Sequence, residues 1–227
     1  MQKQEKLFAI RGGKRKGAGR KKIYKDLLPH SKRPPISMHY PLHITIKLKP
    51  GIKTLRKRDC YKLFRESVKQ AVLFGVSVVH YSVQSNHVHL IVESKSRTAL
   101  ACGMKSLCIR LAKGINNIHG TIGKIFCDRY YLHILKTPTE VKEALVYVFK
   151  NTAKAIKSKN LFDPFSSILA FKEKDLLLRG EIIDDSILSK EKLAWFREEL
   201  ARILGPPTCF LLVDGWKRSK SLKASIG

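Results

Sequence analysis

The sequence predicts an α+β fold in which amphipathic helices cross a small antiparallel sheet and a mainly helical extension follows. Three observations lead there. Short segments rich in β-branched residues, at 42–48, 76–83 and 87–93, have the composition and alternation of strands. Longer segments at 54–74, 97–118 and 138–157 repeat apolar residues every three or four positions. Pro50-Gly51, Gly75, Asn86 and Pro138 mark boundaries between them, and the elements follow in the order strand, helix, strand, strand, helix, strand, helix.

The first residues stand outside this pattern. Residues 1–33 hold twelve Lys/Arg against Glu5 and Asp26, and 11–22 are Gly-rich. So few apolar groups cannot offset the entropy of ordering, and residues 1–35 are expected to form a flexible basic arm. Within it Arg20 is a candidate for phosphate or minor-groove contact, with a solubilising tail as the alternative.

After Pro34-Pro35, residues 39–48 read as the first strand, ended by Pro50-Gly51. In the helical segment 54–74, Leu55, Leu63, Val68, Ala71 and Val72 form an apolar stripe beside a basic face, and Gly75 ends it. Residues 76–83 read as a second strand and Gln84-Ser85-Asn86 as the turn into a third at 87–93, a hairpin. Leu100, Met104, Leu107, Leu111, Ile115 and Ile118 mark a second helix, and 126–135 a fourth strand. Thr137-Pro138-Thr139-Glu140 is the clearest local signal: a hydroxyl at the N-cap, proline at the first helical position and a glutamate able to close a capping box. This order is the split βαβ, or ferredoxin-like, plan with one more helix.

Residues 36–158 are thus read as one domain and 159–227 as an accessory region. Residues 160–202 contain nine of the eighteen acidic residues, so they are not expected to form a nucleic-acid surface. Ser189 caps a helix carrying Leu193, Phe196, Leu200 and Ile203, and Gly205-Pro206-Pro207 stops it. Residues 209–213 read as a short strand or packing segment, and 216–220 as the start of a basic tail.

The formal net charge of +27 and pI near 10.1 point to a polyanionic partner, nucleic acid first. With no long apolar run, lipidation signal or hydrophobic leader, a membrane partner is not expected, and a cytoplasmic, nucleoid-associated location is. The five cysteines are scattered and include no CxxC pair, which argues against a disulfide framework or zinc knuckle.

The chemistry centres on His87 and His89. On a strand, residues two apart share a face, so these imidazoles stand together, as metal ligands or as ordinary surface histidines. Tyr147 and Asn151, four apart on the last helix, also share a face. Two imidazoles and one amide oxygen are neutral ligands that leave room on a hard divalent ion, Mg²⁺ or Mn²⁺, for water and phosphate oxygens.

The segment Ser-Asn-His-Val-His-Leu-Ile-Val-Glu at 85–93 resembles the HUH motif (histidine, bulky apolar residue, histidine). Tyr147 and Asn151 are similar to the Y-x-x-x-N/Q motif of the single-tyrosine HUH transposases, among them the REP-associated tyrosine transposases. The resemblance runs from about residue 43 to 157. It implies the HUH endonuclease fold, a metal held by His87, His89 and Asn151, and Tyr147 as the nucleophile. The implied reaction is metal-dependent cleavage and rejoining of hairpin-associated single-stranded DNA through a 5′-phosphotyrosine, by a homodimer. Arg129, Lys150 and Lys154 are weaker candidates for phosphate contact, with a solvated basic face as the alternative. Asn151 stands where the insertion-sequence enzymes carry Gln. Two other functions share the pattern: a relaxase or replication-initiator nickase, and a catalytically silent nucleic-acid-binding regulator.

Overall fold

The structure, a computed structural model, describes residues 33–156, 163–171 and 189–219. Strand β1 (Leu42–Lys47) buries Leu42, Ile44 and Ile46 and turns His43, Thr45 and Lys47 to the opposite face, as a period of two requires. Helix α1 (Arg58–Ala71) starts four residues later than the apolar period suggests, yet Leu55 in the preceding loop is still buried. Beyond α1 the chain tightens into a 3₁₀ turn, Val72–Phe74, and stops at Gly75, whose φ of 76° favours a residue without Cβ.

Strands β2 (Val76–Val83) and β3 (His87–Ser94) form the expected hairpin, with Gln84 N–H donating to the His87 carbonyl at 2.9 Å. Helix α2 (Arg97–His119) follows, its Ser96 N-cap hydroxyl accepting from Ala99 N–H at 3.0 Å. Strand β4 (Tyr131–Ile134) has four residues, although the sequence suggests ten. The missing part crosses the end of β1: Cys127 N–H donates to Lys47 O at 3.0 Å, and Phe126 makes an isolated bridge with Leu48. Helix α3 (Pro138–Ile156) begins with the expected capping box. Thr137 Oγ1 accepts from Glu140 N–H at 3.2 Å, and Glu140 Oε2 accepts from Thr137 N–H at 3.1 Å.

The strand order is β2-β3-β1-β4, every pair antiparallel, which is the ferredoxin-like arrangement. On one face Leu42, Ile44, Ile46, Val88, Leu90 and Val92 form a core with Phe64 and Val68 of α1 and Leu100, Met104, Leu107 and Leu111 of α2. Burying each of these large side chains contributes about 1.5–3 kcal/mol relative to exposure. Helix α3 crosses the other face, where the Phe149 ring lies 5.3 Å from that of His80.

A bulge in β2 decides which residues reach which face. Val78 pairs with Val92, but His80, not Val79, pairs with Ile91. One extra residue reverses the alternation. Tyr81 and Val83 therefore enter the α1/α2 core, where Tyr81 Oη lies 2.7 Å from Tyr61 Oη, while His80 and Ser82 turn towards α3.

The segment after α3 closes the free edge of β2. Phe165 O accepts from Val83 N–H at 2.9 Å, Ser167 Oγ accepts from Tyr81 N–H at 2.8 Å, and Gly205 N–H donates to Val78 O at 2.9 Å. The approach is close at Gly205, where a Cβ would meet Ser77 Oγ at 1.7 Å and force that side chain to shift. Asp163, fully buried, forms a two-pronged ion pair with Arg56 at 2.7 and 2.8 Å. Ser189 caps α4 (Lys190–Ala201) as expected. The sequence left 209–213 as strand or packing segment; most of it is one helical turn, α5 (Phe210–Val213). The buried Glu93 carboxylate explains the turn, accepting the Thr208 and Cys209 N–H groups at its start at 3.0–3.1 Å.

Candidate functional site

The face beneath α3 is built in cross-strand rows. Tyr131, Thr45, His89 and Ser82 form one row across β4, β1, β3 and β2; His133, His43, Ile91 and His80 form the next; Lys47 stands opposite His87. The rings of His87 and His89 are 4.7 Å apart. Tyr147 comes down from α3 edge-on to His89 at 5.0 Å between ring centroids and to His43 at 5.9 Å. Three of the residues singled out in the sequence, His87, His89 and Tyr147, are thus neighbours within one chain. Tyr147 is 48% exposed.

Hydrogen bonds aim the two histidines. Asn86 Oδ1 lies 2.7 Å from His87 Nδ1 and can only accept, so His87 carries its proton on Nδ1 and presents the lone pair of Nε2. Nδ1 of His89 lies 3.2 Å from His43 Nε2 and 3.1 Å from Thr45 Oγ1. With the proton on Nδ1, donation to either partner leaves a bare lone pair on His89 Nε2, which is buried and has no hydrogen-bond partner. An unpaired buried lone pair is costly, and a metal ion would satisfy it.

Burial holds the site neutral. Desolvation, with the neighbouring histidines adding to it, lowers the His89 pKa to about 3. Desolvation, and then His133, lowers that of His43 to about 4. His87 is lowered in the same way, by desolvation and then Lys47. Neutral imidazoles at physiological pH are the form that binds metal.

Asn151, one turn beyond Tyr147, is half-buried, and its Nδ2 is buried without a partner. Among the described residues no group of three His, Cys, Asp or Glu is arranged to hold a metal ion. A third protein ligand beside the histidine pair would thus be of another kind, and Asn151, on the same helix face as Tyr147, carries an amide of suitable chemistry. The fit rests on the orphaned His89 Nε2, the Nε2 of His87 and this donor chemistry.

Arg129 and Lys150 are half-buried, and both already interact with groups in the protein. Arg20 and the side chain of Lys154 lie outside the described residues. Of the turn residues, Gln84 donates from Nε2 to Ser82 Oγ at 2.7 Å, while Asn86 orients His87.

His43 and Thr45, the partners of His89, are the residues that the sequence reading missed. Their signal was the alternation along β1, which sets His43, Thr45 and Lys47 opposite Leu42, Ile44 and Ile46. Recognising their role needed the register with β3.

No family model matches the chain, and no curated protein matches it by sequence. Among solved structures the chain is similar to a REP-associated tyrosine transposase bound to a REP hairpin, with 17% identity and a TM-score of 0.49 over 62% of this chain and 82% of that one. It is also similar to the tRNA(His) guanylyltransferase of Saccharomyces cerevisiae (11% identity, TM-score 0.41, 77% and 80% covered). A bacterial tRNA(His) guanylyltransferase-like protein in complex with ATP is a third (10% identity, TM-score 0.40, 73% and 78% covered). Among the described residues no helix is long and apolar enough to cross a membrane.

Proposed function

We propose that this chain is a single-tyrosine DNA strand transferase that cuts and rejoins single-stranded DNA, with Tyr147 as the nucleophile. One observation carries the reading: a half-exposed tyrosine stands edge-on to a histidine whose Nε2 is buried without a partner. The motif resemblance and the charge of +27 support it.

His87 and His89 through Nε2, and Asn151 through its amide oxygen, would hold Mg²⁺ or Mn²⁺. Bound there, the ion supplies charge neutralisation at a scissile phosphate. The Tyr147 phenolic oxygen attacks phosphorus, and the bond to the 3′ oxygen breaks. The phenol proton ends on that oxygen, giving a free 3′-OH and a 5′-phosphotyrosine. Attack by a 3′-OH on the phosphotyrosine reverses these changes and joins two ends without ATP. Neutral His43 and Thr45 hold the His89 ring throughout, because Nδ1 stays bonded to them.

Tyr147 meeting the histidines of its own chain supports a site completed within one protomer. Homodimerisation and hairpin-bearing ends are what the motif resemblance implies for the substrate and assembly.

The test is a labelled hairpin-containing single strand incubated with protein and Mn²⁺. A covalent adduct that survives detergent is expected from wild type and none from Tyr147→Phe. An adduct from Tyr147→Phe, or none from wild type across a library of hairpins, overturns the assignment. His87→Ala is expected to lose the adduct while retaining salt-sensitive DNA binding.

A further inference from the structure

We propose that the outer face of β4 is a base-stacking platform on which Tyr131 and His133 hold two unpaired bases of a DNA strand leading to Tyr147. The inference rests on the strand-transfer reading for its substrate and adds the surface that positions it.

The strand register turns both rings to one face. Tyr131 stands opposite Thr45, and His133 opposite His43, so both point to the sheet face that carries His89. Tyr131 is 49% exposed and His133 is exposed, whereas Leu132 and Ile134, which alternate with them, are half-buried on the other face. An exposed tyrosine on a short edge strand adds little to the core, but its ring is a surface on which any base can stack.

Helix α3 covers the β2 and β3 side of this face through Phe149 on His80 and Tyr147 on His89. Beyond it, β4 presents exposed Tyr131 and His133, and β1 the half-buried His43 and Thr45 beside which Tyr147 stands, so a strand lying over β4 is led across β1 to the histidine site.

Spacing favours a single strand over a duplex. Residues two apart on a strand are about 6.8 Å apart, roughly twice the 3.4 Å advance of stacked bases in a duplex. Bases on Tyr131 and His133 are therefore drawn apart from each other, as an extended single strand allows. Exposed Lys47 on the same face and exposed Lys136 just beyond β4 provide charge for the backbone. Arg33 marks where the basic N-terminal stretch joins the fold, its guanidinium 3.7 Å over the Tyr130 ring and bonded to Tyr130 O at 2.7 Å.

Anisotropy of a fluorescein-labelled oligothymidylate with the full chain, in EDTA, tests this surface without cleavage. Tyr131→Ile removes the ring and puts a strand-favouring β-branched residue in its place; Tyr131→Phe keeps the ring. Tyr131→Ile is expected to weaken single-strand binding about tenfold, with the slope of affinity against salt unchanged, because stacking releases no counterions. Tyr131→Phe is expected to bind as wild type, and affinity for a duplex of equal length is expected to be the same in all three. His133→Val is expected to weaken single-strand binding in the same salt-independent way.

Unchanged single-strand affinity in a Tyr131→Ile, His133→Val double variant that melts as wild type overturns the platform. Equal losses on single strand and duplex also overturn it, as does tighter binding of oligouridylate than of oligothymidylate. Stacking in a chain that forms no covalent adduct sinks the transferase and keeps the platform. An adduct formed by a double variant with wild-type affinity does the reverse.

Discussion

At position 43 one histidine holds another. Its Nε2 meets Nδ1 of His89, and Thr45 shares the task, so the remaining nitrogen of His89 is directed away from the strand. On the proposed reading, His43→Ala weakens Mn²⁺ binding about 10- to 100-fold, the usual cost of losing a group that orients a metal ligand. His43→Gln, whose carbonyl can accept the same proton, restores much of the affinity. Titration calorimetry checks both, and wild-type affinity in His43→Ala assigns the task to Thr45 alone.

Buried neutral histidines also tie stability to acidity. His80, buried between Phe149 and Phe171, has its pKa lowered to about 3 by desolvation, as has His89. In the unfolded chain both titrate near 6.5. Below that value the unfolded state binds protons that the folded state refuses, so their contribution is present above pH 6.5 and is lost as pH falls towards 3. Each costs up to about 1.4 kcal/mol per pH unit within that window. Urea midpoints are expected to fall from pH 7 to pH 5, and less steeply in His80→Phe; equal slopes in the two proteins remove His80 from the account.

At the scale of the element, α3 matters because it carries Tyr147. Thr137→Ala removes one side of its capping box and is expected to cost about 1 kcal/mol, with melting lowered by roughly 2–4 °C for a chain of this size. Calorimetry reads the shift, and an unchanged melting point places the cap outside the cooperative unit.

This helix was also the most legible element, because its start signal is local and its period regular. The β2–β3 hairpin and α2 were legible for the same reason. Strand β4 was not, since its true start depends on Cys127 reaching the end of β1. The turn at 210–213 was not either, since it depends on Glu93, more than a hundred residues away. Within the site, His87, His89 and Tyr147 were legible from spacing. His43 needed the pairing of Thr45 with His89, and the place of His80 and Ser82 needed the Val79 bulge. Alternation reveals which face a residue takes only while its strand remains regular.

At the scale of the molecule, described residues after α3, among them Ile168, Phe171, Leu200, Leu212 and Trp216, belong to the core. Trp216 is 1% exposed, and its ring lies 5.6 Å from that of Phe171, which in turn meets Phe149 of α3. Trp216→Ala is expected to cost about 3–5 kcal/mol through the cavity it leaves. Arg56→Ala, which strands the Asp163 carboxylate in the interior, is expected to cost about as much. Either loss is a large part of the roughly 5–15 kcal/mol that holds a domain together. Both are checked by urea midpoints at unchanged slope, and midpoints equal to wild type in both variants show that this region contributes nothing to the fold.

The closed edge of β2 bears on the birth of the chain. Val83 finishes the strand, but the last groups that cover or brace this side of the sheet, Gly205 and Thr208, leave the ribosome about 125 residues later. At about 5–20 residues per second, the edge waits roughly 6–25 s for its cover during synthesis. During those seconds the Val78 carbonyl of β2 lacks the Gly205 partner that it has in the finished fold.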